Sequence, residues 1–156
     1  MKYTSVESPP SIGNLSSGHT LENDQLKTLR PSQTNPRKIG NGILYSTIKD
    51  MSIWAQLHLN QGTLNGEQIL DTSSYEELWK PNLKTGWDAM KAAAGLGCFV
   101  GTVHGKRSIS HIGGGQGFSA AFVLLPDNDR AIIIAGNSDK LPREALIDAI
   151  AGFVLD

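Results

Sequence analysis

The chain has 156 residues, of which 39% are hydrophobic and 19% charged, and its formal net charge at pH 7 is −1. These values fit one globular domain rather than a disordered chain, and they provide no basic surface for nucleic acid or anionic lipid. No apolar run approaches the roughly 20 residues of a membrane span, and the single cysteine, Cys98, excludes an internal disulfide.

Residues 1–42 differ in composition from the rest of the chain. They are rich in proline, serine, threonine and asparagine, and their apolar residues follow neither a two-residue nor a 3.6-residue period. We therefore predict an irregular segment over 1–42 and a folded region over 43–156. The opening residues lack the apolar core of a signal peptide, and the compartment stays open.

Residues 47–60 have the pattern of an amphipathic helix. Ser46 or Thr47 can cap it, Asp50 follows Thr47 by three residues as in a capping box, and Gly62 ends it. The expected apolar stripe, with the tryptophan in the core, consists of Ile48, Met51, Trp54 or Ala55, and Leu57. A second, shorter helix is predicted over 73–80.

Four strand-like runs follow the helices. They cover residues 96–103, 106–112, 118–126 and 130–137, with turns expected at His104-Gly105 and at 127–129. The last two runs are apolar at nearly every position, which predicts that both faces of this sheet are covered. A closing helix over 142–155 should cover one face through Leu146, Ile147, Ile150, Phe153 and Val154. The predicted fold class is α+β: an antiparallel meander packed against a C-terminal helix and preceded by helical segments.

Ser46 and Lys49 form an S-x-x-K pattern, which in penicillin-recognising serine enzymes supplies a nucleophile and its base. A lysine base must lose its proton, against an ordinary pKa of about 10.4, so it must be buried or crowded. Lys49 aligns with Ser52, Gln56 and Asn60 on the polar side of the predicted helix, where it is expected to stay protonated. We therefore interpret Ser46 as a helix cap and Lys49 as a surface residue.

Two further segments could complete such a site. Lys84-Thr85-Gly86 follows a proline and lacks a strand rhythm, which favours a loop. His111-Ile112-Gly113-Gly114 instead ends an alternating strand pattern, and its glycines leave no side chain between the backbone and a ligand. A bare strand end of this kind can direct an amide at a developing oxyanion.

From about Gly42 to Val154 the sequence resembles the C-terminal part of the serine β-lactamase-like family. The matching segments are "GNGILYSTIKDMSIWAQLHLNQGTLNGEQIL", "GLGCFVG", "HIGGGQGFSAAFVLLPDND" and "AIIIAGNSD", in the family's order and at about its spacing. The family includes class C β-lactamases, D-alanyl-D-alanine carboxypeptidases and esterases, so the resemblance implies a partial β-lactamase/transpeptidase-like fold. It also implies that His111-Ile112-Gly113 replaces the K-T-G element and that the backbone N–H of Gly114 is half of the oxyanion hole.

The resemblance also implies what the chain lacks. The opening "MKYTS" is similar to the family's "LGM-x-x-T" segment, which lies after the S-x-x-K and Y-x-N elements, and "YSTIKD" matches a plain helix start. We therefore expect a C-terminal portion of a serine hydrolase that is inactive alone, with His111, Gly113 and Gly114 as substrate-binding and oxyanion residues. The substrate class, whether β-lactam, D-Ala peptide or ester, stays open. No cofactor is implied, and one cysteine with four scattered histidines predicts no metal cluster.

Three alternatives remain at this point. In the first, the chain is a non-catalytic binding module or half of a split enzyme, with an apolar edge that invites an N-terminal partner chain or self-association. In the second, it is a small active serine hydrolase that uses Ser46 and Lys49, and in the third, a truncated product without a selected role.

Four other residues have simpler interpretations. His19 is expected to be solvated and His104 to belong to a turn. Ser119 has no base at a recognisable spacing and is interpreted as structural, and Cys98 as inert packing within an apolar strand.

Overall fold

A computed structural model describes residues 1–6, 15–29, 42, 44–86 and 92–155. The described helices are α1 (Ile48–Leu59), α2 (Thr72–Leu78) and α3 (Arg143–Leu155). The described strands are β1 (Ser5–Val6), β2 (Gly18–Glu22), β3 (Gln25–Leu29), β4 (Leu44–Tyr45), β5 (Thr63–Leu64), β6 (Glu67–Gln68), β7 (Leu83–Lys84), β8 (Ala93–Ala94), β9 (Phe99–Val103), β10 (Lys106–Gly115), β11 (Phe118–Leu125) and β12 (Arg130–Gly136). None of the helices in these ranges is long and apolar enough to cross a membrane.

The largest sheet is an antiparallel meander in the order β12-β11-β10-β9-β8-β7. Its β9–β10 turn places His104 and Gly105 at positive φ, as a tight two-residue hairpin requires. After β11, a short 3₁₀ turn ends at Asp129 in the left-handed conformation. Together with the flanking helices, this meander confirms the predicted α+β class and the four main strands.

Both faces of the sheet are covered, as the apolar runs predicted. One apolar cluster joins Ile147 and Ala151 of α3 to alternate residues of β11 and β12, including Val123, Leu125 and Ile132. A second cluster, on the other face, joins α1, α2 and the residue after α2 to β10 and to the intervening residues of β11 and β12. Its members include Ala55, Tyr75, Trp79, Ile109, Leu124, Phe122 and Ile133. The alternation follows from the two-residue period of a strand.

Helix α1 begins where its capping residues predict. Thr47 has extended backbone geometry, and its Oγ1 accepts a hydrogen bond from the amide of Asp50 at 3.1 Å. The predicted apolar stripe is wrong in part, because Ala55 and Leu57 are buried whereas Ile48 and Trp54 are 48% and 40% exposed. The Trp54 ring packs edge-on against the ring of His58, with the two centroids 4.5 Å apart.

The predicted packing face of α3 also needs correction. Phe153 is 87% exposed, and Ile150 lies at the margin of the buried surface. Ile147 and Ala151 are four residues apart and define the face that contacts the sheet. Phe153 is two residues beyond Ala151, about 200° around a helix of 3.6 residues per turn, and therefore points away from the sheet.

Two segments expected to be irregular contain strands. Within residues 1–42, β2 and β3 form a hairpin with Asn23 and Asp24 at positive φ in its turn. The interpretation of 84–86 as a loop is wrong for Lys84, which lies in β7, with Thr85 donating to the carbonyl of Ala92 at 2.6 Å. Because β8 and β9 lie between β7 and β10, this K-T-G is well separated from His111.

Candidate active site

The far end of β10 has a strand neighbour on one side only among the described residues. Strand β9 pairs with β10 as far as the Phe99–Ser110 pair, whereas β11 continues to pair with it until Gly115 opposite Phe118. Residues 111–115 are therefore paired with β11, and no described strand lies beside their other backbone edge. An edge of this kind can pair with the backbone of an extended ligand.

His111 lies at the start of this edge. Its side chain is exposed, and its ring centroid is 5.9 Å from that of Phe99, the last residue of β9 to pair with β10. The imidazole is therefore available to a ligand that lies along the edge.

Gly113 and Gly114 differ in their surroundings although both are exposed. A methyl group at Gly113 would meet no atom within 4 Å, whereas one at Gly114 would lie 3.0 Å from Nη1 of Arg143. The same Nη1 donates a hydrogen bond to the carbonyl oxygen of Gly113. Arg143 was not among the predicted site residues, because thirty residues separate it from Gly113 and no motif connects them.

The turn that follows β10 is held by the N-terminal hairpin. The amide of His19 donates to the carbonyl oxygens of Gly117 and Asn137, both at 3.0 Å, and the carbonyl of His19 accepts from the amide of Asp139 at 3.1 Å. The side-chain amide of Asn137 donates to the carbonyl of Ser17 at 3.2 Å. The prediction of a solvated His19 concerned its side chain and did not include its backbone, which connects β2 to the end of β12.

The imidazole of His19 also has a defined position. Its Nδ1 lies 3.1 Å from the carbonyl oxygen of Asn137 and 3.3 Å from that residue's Nδ2. Gly117 packs directly against Gly18, leaving no room for a Cβ atom. The site therefore rests on contacts between residues about 100 to 120 positions apart, and no local sequence signal reports them.

Ser46 and Lys49 lie at the start of α1 in different surroundings. Both are exposed, and Ser46 Oγ is 2.8 Å from the hydroxyl oxygen of Thr4. Within the described ranges, no hydrogen bond or ion pair joins Lys49 to Ser46, or either of them to residues 111–115. This geometry supplies no base to the Ser46 hydroxyl.

The polar group that organises this region is Asp50. Its carboxylate is buried and accepts hydrogen bonds from the amides of Lys2 and Tyr3, at 3.2 and 2.6 Å, and from the Thr4 hydroxyl at 2.8 Å. Burial alone raises the pKa of Asp50, but these hydrogen bonds outweigh it and hold the pKa below its ordinary value. Thr4 and Ser46 therefore belong to an anchor that ties the first residues to α1.

The remaining candidates are buried or packed. Ser119, opposite Gly114 on β11, is 3% exposed, so its hydroxyl does not face a ligand. Cys98 Sγ donates to the carbonyl of Leu78, and burial raises the pKa of this thiol. In the part of the chain that the structure describes, no three His, Cys, Asp or Glu side chains converge to hold a metal ion.

Comparison with known proteins gives the geometry its context. No curated protein matches the chain. Among solved structures, the chain is similar to the octameric penicillin-binding protein homologue from Pyrococcus abyssi, with a TM-score of 0.74 and 17% identity over 90% of this chain. The chain spans 31% of the length of that protein. The family model for Beta-lactamase matches residues 1–155. The chain therefore belongs to the beta-lactamase family.

Proposed function

We propose that the chain forms the substrate-binding side of a serine-hydrolase acyl-transfer site and does not turn over substrate alone. The observation that carries this proposal is the free edge at residues 111–115, with an exposed imidazole at one end and bare glycine backbone beyond it. The acceptable substrates share a carbonyl that becomes tetrahedral: a β-lactam, a D-Ala peptide or an ester.

In this proposal each residue has a separate role. The substrate lies along the edge of β10, the backbone N–H of Gly114 donates to the developing oxyanion, and His111 positions the acyl group. The attack itself needs a hydroxyl whose proton passes to an adjacent base. An oxyanion donor without that pair retains only a modest effect. We infer that S-x-x-K and Y-x-N elements outside this sequence supply the attack.

The test is turnover of a chromogenic cephalosporin and of a short-chain nitrophenyl ester by the purified chain. We expect rates equal to buffer for the wild type, Ser46→Ala and Lys49→Ala. Turnover that disappears in Ser46→Ala and in Lys49→Ala would show a small active enzyme and overturn the proposal. Ser52→Ala is the matched control, because Ser52 lies on the same helix and its described hydrogen bond goes to the carbonyl of Lys49.

Exposed apolar surface favours a second candidate, in which the chain is half of a split enzyme. Phe153 and Ile150 of α3 are exposed, and β12 has a strand partner only in β11 among the described strands. A chain that carries the S-x-x-K and Y-x-N elements could pair with β12 and cover Phe153. Its affinity would come from backbone hydrogen bonds along β12 and from burial of the phenyl ring.

Light scattering after size exclusion, with and without such a partner fragment, tests this candidate. We expect self-association or poor solubility of the chain alone and a 1:1 complex with the fragment. Phe153→Asp should weaken both, whereas Leu83→Asp, an equally drastic change at an exposed leucine of β7, should not. A stable monomer that melts cooperatively and ignores the fragment would refute this candidate.

A further inference from the structure

The carbonyl of Gly113 and the N–H of Gly114 belong to one peptide unit. This unit is planar and trans, so its C=O and N–H bonds point in opposite directions. Arg143 Nη1 donates to the oxygen of this carbonyl, which places the guanidinium at the end of the unit opposite the Gly114 N–H. A contact at one end of the unit therefore acts on the donor at the other end.

Among the described strands, the backbone at this point is restrained by β11 on one side only. Gly113, Gly114 and Gly115 are three consecutive glycines, and glycine restricts its backbone less than any other residue. Strand β9, which would restrain β10 from the free side, has already ended at the Phe99–Ser110 pair. A donor that stabilises a developing charge must be held in place before the reaction begins.

Arg143 is well placed to supply this support. It is the first residue of α3, and Ile147, one turn further, is buried in the core against the sheet. The side chain is half-buried, its Nε has no hydrogen-bond partner among the described residues, and its Nη1 contacts Gly113. The position of a packed helix thus fixes the plane of one peptide unit in the glycine segment.

The contact also has an electrostatic consequence. A guanidinium is always charged, and a charged donor makes a stronger hydrogen bond than a neutral one. Electron density drawn toward the carbonyl oxygen leaves the N–H of the same unit more positive, since linked hydrogen bonds polarise one another. We propose that Arg143 is a positioning residue that orients and polarises the Gly113–Gly114 peptide unit so that the Gly114 N–H is a stronger donor. That a substrate oxyanion accepts a hydrogen bond from this N–H rests on the proposed function, whereas the coupling between Arg143 and the peptide unit does not.

NMR of the chain tests the coupling without any activity. Arg143→Met removes the charge and keeps the aliphatic stem, and Arg143→Lys keeps the charge. Arg130→Met is the matched control because the described hydrogen bond of Arg130 goes to the adjacent carbonyl of Asp129 and not to the glycine segment. In Arg143→Met we expect the Gly113 carbonyl ¹³C and the Gly114 amide ¹H to move upfield. The Gly114 order parameter should fall from about 0.85 toward 0.6 or below.

In Arg143→Lys, the Gly113 carbonyl ¹³C and Gly114 amide ¹H signals should stay close to their wild-type positions, and the Gly114 order parameter should fall only in part. Unchanged Gly113 and Gly114 signals in folded Arg143→Met, or equal changes in Arg130→Met, would overturn the proposal. If a partner fragment restores turnover, Arg143→Met should lower kcat about tenfold with KM unchanged, less than the 10²–10³ of a deleted oxyanion donor. NMR changes without turnover in any assembly would refute the proposed function and leave the coupling standing.

Discussion

Replacing Gly117 by alanine should separate the hairpin of β2 and β3 from the glycine turn. Gly117 has φ +81°, and a Cβ there would lie 2.3 Å from the backbone nitrogen of His19 and 2.5 Å from the carbonyl carbon of Gly18. Both are backbone atoms, so no side-chain rotation relieves the overlap. The hairpin must move, and the hydrogen bonds made by His19 to Gly117 and Asn137 are lost or weakened.

Gly105→Ala is the matched control for backbone strain. Gly105 also has positive φ, +73°, but a Cβ there meets no atom within 4 Å. Left-handed geometry costs alanine roughly 1–2 kcal/mol, and the stiffer unfolded chain offsets about 0.4–1 kcal/mol of it, so Gly105→Ala should destabilise by about 1 kcal/mol. At about 1 kcal/mol for each of two lost hydrogen bonds, Gly117→Ala should cost about 2 kcal/mol more.

Urea unfolding followed by tryptophan fluorescence measures both variants. The 2 kcal/mol difference corresponds to a melting temperature lower by about 4–8 °C for a chain of this size. Amide exchange in residues 18–29 should accelerate in Gly117→Ala and not in Gly105→Ala. Equal free energies of unfolding for the two variants would refute the reasoning, because the docking of His19 would then contribute nothing.

Three further predictions concern buried polar groups. Ser108 is fully buried and its hydroxyl has no hydrogen-bond partner in the described structure, so Ser108→Ala should raise the free energy of unfolding by about 1 kcal/mol. Ser110 is also buried but has an interaction partner, so Ser110→Ala should not stabilise the chain. Burial lowers the pKa of His58 below 6.5, so the contribution of the neutral imidazole to stability is complete above pH 6.5 and lost as the pH falls through the folded-state pKa. The urea midpoint of His58→Gln should therefore depend less on pH across that window than the wild-type midpoint does. Parallel pH profiles of the two proteins would contradict this. The pKa of Asp50 is lowered, so the contribution of its carboxylate to stability is present above the ordinary value of 3.8 and lost as the pH falls through the folded-state pKa. Asp50→Asn at pH 7 should speed amide exchange at Lys2 and Tyr3. Unchanged exchange would contradict the role of Asp50 in anchoring the first residues to α1.

The elements that the sequence predicted correctly have their causes close by in the chain. Thr47 and Asp50 cap α1 through a three-residue contact, and the His104-Gly105 turn needs only those two residues at positive φ. Predictions that depended on which side of a helix meets the sheet were less secure. Trp54 and Phe153 continue the apolar patterns of their helices, yet both are exposed, because Ala55 in α1 and Ile147 and Ala151 in α3 are the residues that meet the sheet. The hydrophobic period predicts that a helix has an apolar face, whereas the docking of the whole helix decides which side of it contacts the sheet.

The residues of the candidate site also differ in whether a local sequence pattern indicates them. His111, Gly113 and Gly114 carry a local pattern that indicates bare backbone at the end of a strand, and the described β10 is unpaired on one side at those residues. Arg143 and His19 carry no such pattern. Their contacts with Gly113 and Gly117 join positions 30 and 98 residues apart, and a single sequence contains no record of such proximity. The assignment of His111, Gly113 and Gly114 as substrate-binding and oxyanion residues stays a prediction.

The two long-range contacts explain how a run of glycines can serve as a defined surface. Bare backbone is needed for close approach of a ligand, but the same absence of side chains leaves the chain free to move. Arg143 restrains the run at Gly113 from one face of the sheet, and His19 restrains it beyond the turn at Gly117. Between these two points the edge of β10 is open. Rigidity therefore comes from α3 and the β2–β3 hairpin in addition to the pairing with β11. It should be reduced by substitutions at Arg143 or Gly117 that leave every residue of the H-x-G-G element in place.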